Sequence, residues 1–352
     1  MLYKTFKHKG SFTLESGKTL PGFNLGYTTH GKLNGAKDNV VWIFHAFTGN
    51  SNPAEWWPGL IGENTFFDPA TYFIICVNMP GSCYGSLGPL DINPETGEPY
   101  YHDFPLFTTR DMVRAFRYLK DHLGIEKVFI GMGGSIGGQQ LMEWAVEEPA
   151  LFEYIIPIST NAVHSSWGVA FNVSQRLCIE NDATWKNRAA DAGINGMKVA
   201  RSIGLLSYRH YDKYVLSQQG FTPETEMLGV DRQVTKAETY QRYQGEKLAK
   251  RFNAFSYYFL SLAMDKHNIG RNRSSIHAAL ATVTAKTLVI AISSDILFPP
   301  VEQELLAAHI PNAELAIINS QYGHDGLLLE YEQITELIEG FLAKDKGSRA
   351  LG

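Results

Sequence analysis

Along this chain the apolar residues fall into short unbroken runs, separated by turn residues and by stretches with helical spacing. Six runs are continuous rather than alternating: Val40–Phe44 (VVWIF), Tyr72–Val77 (YFIICV), Lys127–Gly131 (KVFIG), Glu153–Ile158 (EYIIPI), Thr287–Ile292 (TLVIAI) and Ala313–Ile318 (AELAII). Continuous runs of this length read as strands buried on both faces. Between them, TTRDMVRAFRYLKDHLG opens on a capping threonine with an acid near its first turn and closes on Gly124. IGGQQLMEWAVEEP places Leu141, Trp144, Ala145 and Glu148 at helical spacing before Pro149, and PPVEQELLAAHI and EYEQITELIEGFLAK supply two later helices. Alternation of strand and helix predicts a doubly wound, mostly parallel α/β sheet. The alternation stops between about Asn161 and Lys286, where the sequence is helix-like, rich in Arg, Tyr and Gln, and shows no clear strand. The expected organisation is an α/β core from residues 1–160 and 286–345 with a helical lid inserted at 161–285. The closing KDKGSRALG is expected to be a frayed tail.

Composition narrows the class. The chain has 352 residues, 44% hydrophobic and 19% charged, enough apolar material for a sizeable core. Its net charge of −5 argues against a dedicated nucleic-acid binder. The three cysteines, Cys76, Cys83 and Cys178, form no CxxC pair, so neither a disulfide framework nor a structural zinc site is expected and a cytoplasmic location is the default. The N-terminus MLYKTFKHKGSF has no apolar signal region, and the longest apolar run is far short of the ~20 residues that span a bilayer, so no membrane role is expected. No HExxH and no His/Cys/Asp cluster with ligand spacing implies a metal.

The glycine-rich turn GMGGSIGGQQ follows a strand and precedes a helix. A dinucleotide fingerprint fails, because its third glycine would fall on Ile136. A phosphate loop fails too: ESGKTL contains GKT, but Phe12 stands where the first glycine belongs. What fits is G-x-S-x-G across Gly133–Gly137, the signature of a nucleophile elbow that presents Ser135 at a helix N-terminus. The bland reading is an ordinary glycine-rich turn. In such a fold the acid and the base follow later strands in the order Ser, Asp, His. Asp295 follows TLVIAI and His324 follows AELAII, in that order. Taken singly, Asp295 reads as a loop acid and His324 as a surface histidine; jointly with Ser135 they read as a triad. The oxyanion donors would be the N–H of Ile136 and the N–H of Phe47 in FHAFTGNSN, with the Thr48 hydroxyl as a further donor.

With these pieces in place the chain resembles the homoserine O-acetyltransferase family of α/β-hydrolase-fold acyltransferases. The resemblance spans nearly the whole length, through HAFTGNS, WWPGLIG, YFIICVNMPGSCYGSLGP, INPETGEPY, DFPLFTTRDMVRA, GGSIGGQQLMEWA, ARSIGLLSYR, YQGEKLAKRFNAFSYYFL and YGHDGLLLE. It implies Ser135 as nucleophile, Asp295 as triad acid and His324 as base. It implies Arg201 and Tyr208 of the lid as ligands of the acceptor amino acid, and Asp325 as the contact of its ammonium group. It also implies acetyl-CoA as co-substrate with no bound cofactor, L-homoserine as acceptor, a place in methionine biosynthesis, and a homodimer formed through the lid. A fork-shaped cation for a carboxylate and an anion for an ammonium are chemically apt. Without the resemblance, Arg201 reads as a solvated helix charge and Tyr208 as a core aromatic.

The sequence departs from the family at Ile136, Gln140, Met79, Pro80 and Phe47, positions expected to line or abut the acyl pocket. The acyl group, acetyl or succinyl, is therefore less constrained than the acceptor, which is itself open between homoserine, serine and another hydroxy acid. A serine hydrolase using water as acceptor, or a non-catalytic binding module, are the alternatives.

Overall fold

The six continuous apolar runs all become strands of one eight-stranded sheet. A computed structural model describes residues 3–222 and 234–350. Its sheet contains β1 (Lys4–His8), β2 (Phe23–His30), β3 (Val40–Phe44), β4 (Phe73–Val77), β5 (Val128–Gly134), β6 (Phe152–Ile158), β7 (Lys286–Ile292) and β8 (Ala313–Ile318). The spatial order is β1-β2-β4-β3-β5-β6-β7-β8. Neighbours from β4 to β8 are parallel, and β1 and β2 are added antiparallel. Apolarity on both faces has a direct use: Val40, Trp42 and Phe44 of β3 enter one core, and Val41 and Ile43 enter the other.

β1 and β2 carry no continuous apolar signal. β1 is the edge strand and is mostly exposed, while β2 breaks its pattern with Gly26 and two threonines. The chain runs from β3 to β4 on one side and then to β5 on the other. Strand order thus reverses around β3, and a crevice opens at the carboxyl ends of β3 and β5, where open α/β sheets place their ligands.

The longer helices are α1 (Thr109–His122), α2 (Ile136–Glu147), α3 (Ser166–Glu180), α4 (Ile194–Tyr208), α5 (Tyr211–Gln218), α6 (Lys236–Ala249), α7 (Ala254–Asp265), α8 (Pro300–His309) and α9 (Tyr331–Ala350). α1 starts with a capping box between Thr108 and Asp111, as the sequence suggested. α3 to α7 all lie between β6 and β7.

Two expectations need correcting. The inserted segment does contain strand: Phe221–Thr222 pairs antiparallel with Val234–Thr235. Strands of two residues are too short to leave a periodicity. The tail expected to fray from Lys344 instead continues α9 to Ala350. That helix is anchored by the buried stripe Ile334, Ile338, Phe341 and Leu342, and extending a nucleated helix is easy where no proline interrupts it.

A buried ionic network fastens the end of the insertion to the core. Arg273 binds Glu143 (2.6 Å) and Glu147 (2.8 Å) of α2. Arg110 of α1 reaches Glu143 (2.7 Å) and Glu15 (2.9 Å), and Arg271 also binds Glu15. The Glu143 side chain is wholly buried, and removing one partner from such a pair typically costs about 3–5 kcal/mol.

Candidate active site

Ser135 sits between β5 and α2 with φ 58° and ψ −130°, a backbone conformation that L-residues rarely adopt and that costs on the order of 1–3 kcal/mol. The surroundings over-determine it. Its N–H donates to the carbonyls of Ile158 (3.1 Å) and Ser159 (3.2 Å), and its own carbonyl accepts from Thr160 Oγ1 (2.8 Å). The flanking glycines are required by space. A Cβ on Gly137 would lie 2.3 Å from the Phe44 carbonyl oxygen, and one on Gly133 would lie 2.8 Å from the Gly137 backbone. This close approach lets α2 begin directly above the strand, so the serine side chain stands at its N-terminus.

The two later loops converge on the same place. Asp295, just past β7, accepts a hydrogen bond from His324 Nδ1 at 2.6 Å with Oδ2. Its other oxygen accepts the N–H groups of Leu297 (2.8 Å) and Phe298 (2.9 Å). The carboxylate is therefore held on both sides, and its orientation makes Nδ1 the protonated ring nitrogen and leaves Nε2 as an acceptor. Burial pushes the His324 imidazolium down, but the charge and hydrogen bond of Asp295, with the charge of Asp325, outweigh it and raise the group above its ordinary range. Phe298 stacks on the His324 ring at 5.1 Å. Ser135 and His324 line one cavity of about 520 Å³, within the range of small-molecule sites.

The loop after β3 forms one wall of this cavity with Phe47 and Thr48. Its anchor is His45, which reading the sequence did not single out. His45 Nδ1 contacts the Ala46 carbonyl (2.9 Å), and its Nε2 accepts the Met79 N–H (3.1 Å). Burial lowers its pKa to about 4, so it stays neutral and serves as a bridge rather than a base. Ile136 is the first residue of α2, so its N–H has no partner within the helix. Phe47 N–H likewise has no acceptor among the described residues.

Arg201, Tyr208 and Asp325 line the cavity as well. Arg201 and Tyr208 both lie on α4, two turns apart, and the Arg201 guanidinium rests over the Tyr208 ring at 5.3 Å from its centre. Arg201 Nε is buried without a partner. Asp325 pairs at 2.9 Å with Arg209, the residue after Tyr208, which no motif marks. Burial pushes the Asp325 carboxyl up, against the opposing charges of Arg209, His324 and Arg201.

Of the departures from the family pattern, Phe47 lines the cavity as expected, and the other four do not. Ile136, Gln140 and Met79 are fully buried, and none of them lines the cavity, nor does Pro80. Gln140 donates to the Ile136 carbonyl (3.2 Å) and packs on Met79 inside the core. Besides Phe47, the apolar lining comes from Met264, Leu297, Phe298, Leu327 and Leu328, with His164 beside them. Among the described residues no group of His, Cys, Asp and Glu could hold a metal ion, and no helix is long and apolar enough to cross a membrane.

Comparison with known proteins places this geometry. Residues 39–331 match the family described as alpha/beta hydrolase fold. The chain is 47% identical over 347 residues to a homoserine O-acetyltransferase of Cyclobacterium marinum, covering 99% of this chain and 97% of that one. The crystal structure of homoserine O-acetyltransferase from Bacillus anthracis superimposes with a TM-score of 0.88 at 26% identity, covering 97% of this chain and 98% of that one. An acetylester hydrolase from Corynebacterium glutamicum superimposes with a TM-score of 0.83, also at 26% identity, covering 97% and 96%.

Proposed function

Because this chain belongs to the homoserine O-acetyltransferase family of α/β-hydrolase-fold enzymes, we propose that it moves an acetyl group from acetyl-CoA to the hydroxyl of L-homoserine through an acyl-serine. Ser135 loses its proton to His324 Nε2 and attacks the thioester carbonyl. The oxyanion is held by the N–H groups of Phe47 and Ile136. Collapse expels the thiolate, which takes the proton from His324 and leaves as CoA. His324 then accepts the proton of the homoserine hydroxyl, whose oxygen attacks the acyl group. Ser135 departs with the proton returned, and O-acetylhomoserine is released. The proposed product enters methionine biosynthesis, and the proposed location is the cytoplasm.

The observation that carries this reading is the cavity's pairing of a nucleophile with amino-acid ligands. Ser135 shares its cavity with Arg201, a cation whose Nε has no acceptor, and with the acid Asp325. The Arg201 fork suits the acceptor's carboxylate, Tyr208 backs it, and Asp325 suits the ammonium.

Hydrolysis is the second reading, supported by the likeness to an acetylester hydrolase. The two part at Arg201→Ala. Transfer to homoserine is expected to fall by about 100-fold in kcat/KM, the scale of losing one partner of a buried charge pair, while cleavage of a simple ester persists. CoA release that is no faster with homoserine than without it would sink the transferase reading.

The proposed partner is a second copy of the chain, docked through the inserted helices. Leu206, Tyr211 and Leu216 have 55%, 75% and 66% of their surface exposed, apolar area that a second copy would cover. Sedimentation velocity is expected to show a dimer that Leu216→Glu weakens, and a wild-type monomer at micromolar concentration would rule the dimer out.

A further inference from the structure

The cavity above Ser135 ends at a rim whose exposed side chains are Glu55, Lys247 and Arg251. Lys247 lies in the last turn of α6 and Arg251 just beyond it. Both line the same cavity, Lys247 from the end of the helix and Arg251 from the turn that follows it. Neither charge is neutralised by the protein. Arg251 Nη1 donates to the Thr48 carbonyl (2.6 Å) and the Tyr84 hydroxyl (2.6 Å), both uncharged. Lys247 has no ion pair or hydrogen bond among the described residues. Among other cations around α6, Lys198 binds Glu246 at 3.0 Å and Arg242 binds Glu238 at 3.1 Å. Lys236 and Lys250 also lack an ion pair among the described residues, but neither lines this cavity. Two cations without a protein counter-ion at a cavity mouth make a local positive field that attracts anions.

The donor's geometry says what they bind. A thioester whose carbonyl reaches Ser135 must thread its carrier arm up the cavity and leave the far end of the carrier at the rim. We propose that Lys247 and Arg251 form an anion subsite for the phosphate groups of a coenzyme A thioester. This rests on the acetyl-CoA reading given above. Arg251 is the fixed member, pinned by two hydrogen bonds, and Lys247 is the adaptable one, a point charge on a flexible stem. Glu55, held by Asn50 at 3.4 Å, completes the rim and leaves it with a net positive charge. Arg251 also fastens the carbonyl of Thr48, so the subsite adjoins the loop that carries the Phe47 N–H.

The test compares acetyl-CoA with S-acetylpantetheine, which has the same thioester and arm but no phosphate. The readout is the ratio of their KM values, with homoserine saturating, in wild type, Lys247→Ala, Lys247→Glu and Lys247→Arg. Lys247→Ala is expected to worsen the acetyl-CoA KM relative to the phosphate-free donor on the order of tenfold. Lys247→Glu should worsen it further, and Lys247→Arg should restore it. Added salt should weaken acetyl-CoA use and leave S-acetylpantetheine unaffected. A ratio that stays flat across the variants, or KM values that rise together for both donors, overturns the subsite. Wild type that consumes no acetyl-CoA with homoserine present overturns the donor reading and the subsite with it. Wild type that does so with a flat ratio overturns the subsite alone.

Discussion

Ser135→Ala is expected to lower the rate of acyl transfer by about six orders of magnitude, the scale seen when a triad serine is removed. It should also abolish the acetyl adduct that intact-mass spectrometry detects after brief exposure to acetyl-CoA. The fold should be indifferent to the change. Alanine keeps the Cβ that the strained backbone at φ 58° already accommodates, and the bonds that hold that backbone run through main-chain atoms and Thr160. Thermal melting should therefore stay close to wild type, which separates loss of chemistry from loss of structure. An acetyl adduct of undiminished yield in the variant would place the nucleophile elsewhere.

Asp295→Asn should cost about four orders of magnitude in kcat while leaving the protein folded, the scale seen when a triad acid is changed to its amide. The two backbone N–H groups of Leu297 and Phe298 fix the outcome. They demand an acceptor, so the amide must turn its oxygen toward them. Its NH₂ then faces His324 Nδ1, which was held at 2.6 Å as a donor and must now accept. The ring proton moves to Nε2, the atom that has to take the Ser135 proton. The variant is thus a histidine in the wrong tautomer rather than a missing histidine. A loss below tenfold would mean that Asp295 does not set the tautomer.

Much of this architecture was legible because burial on both faces writes continuous apolar runs. β3 to β7 are buried in this way, whereas β8 carries the run AELAII although it is an edge strand with Leu315 and Ile317 exposed. Ser135, Asp295 and His324 each follow one of these runs, so their order could be read as well. β1 and β2 could not: β1 is polar and mostly exposed, and β2, though largely buried, interrupts its apolar residues with Asn24, Gly26 and two threonines. The cavity wall was legible only in part. Ile136 and Gln140 adjoin Ser135 in sequence, yet α2 turns them inward, away from the cavity. Met264, Phe298 and His164 face it from distant segments, and nothing local in the sequence tells them from core residues. His45 and Arg209 were invisible for a related reason. Each acts by touching a residue far along the chain, Met79 in one case and Asp325 in the other.

The arginine–glutamate network bears on how such proteins diversify. Arg271 and Arg273 enter with the inserted segment, whereas Glu15 lies in an N-terminal turn and Glu143 and Glu147 on α2. The helices over the cavity are consequently not a cassette. Excising them to leave a minimal hydrolase would strand a fully buried carboxylate with Arg110 as its one remaining counter-ion. Grafting in a relative's helices would succeed only if the graft brought both arginines in register. Point changes within the existing cap keep both arginines in place, which wholesale exchange of it does not guarantee.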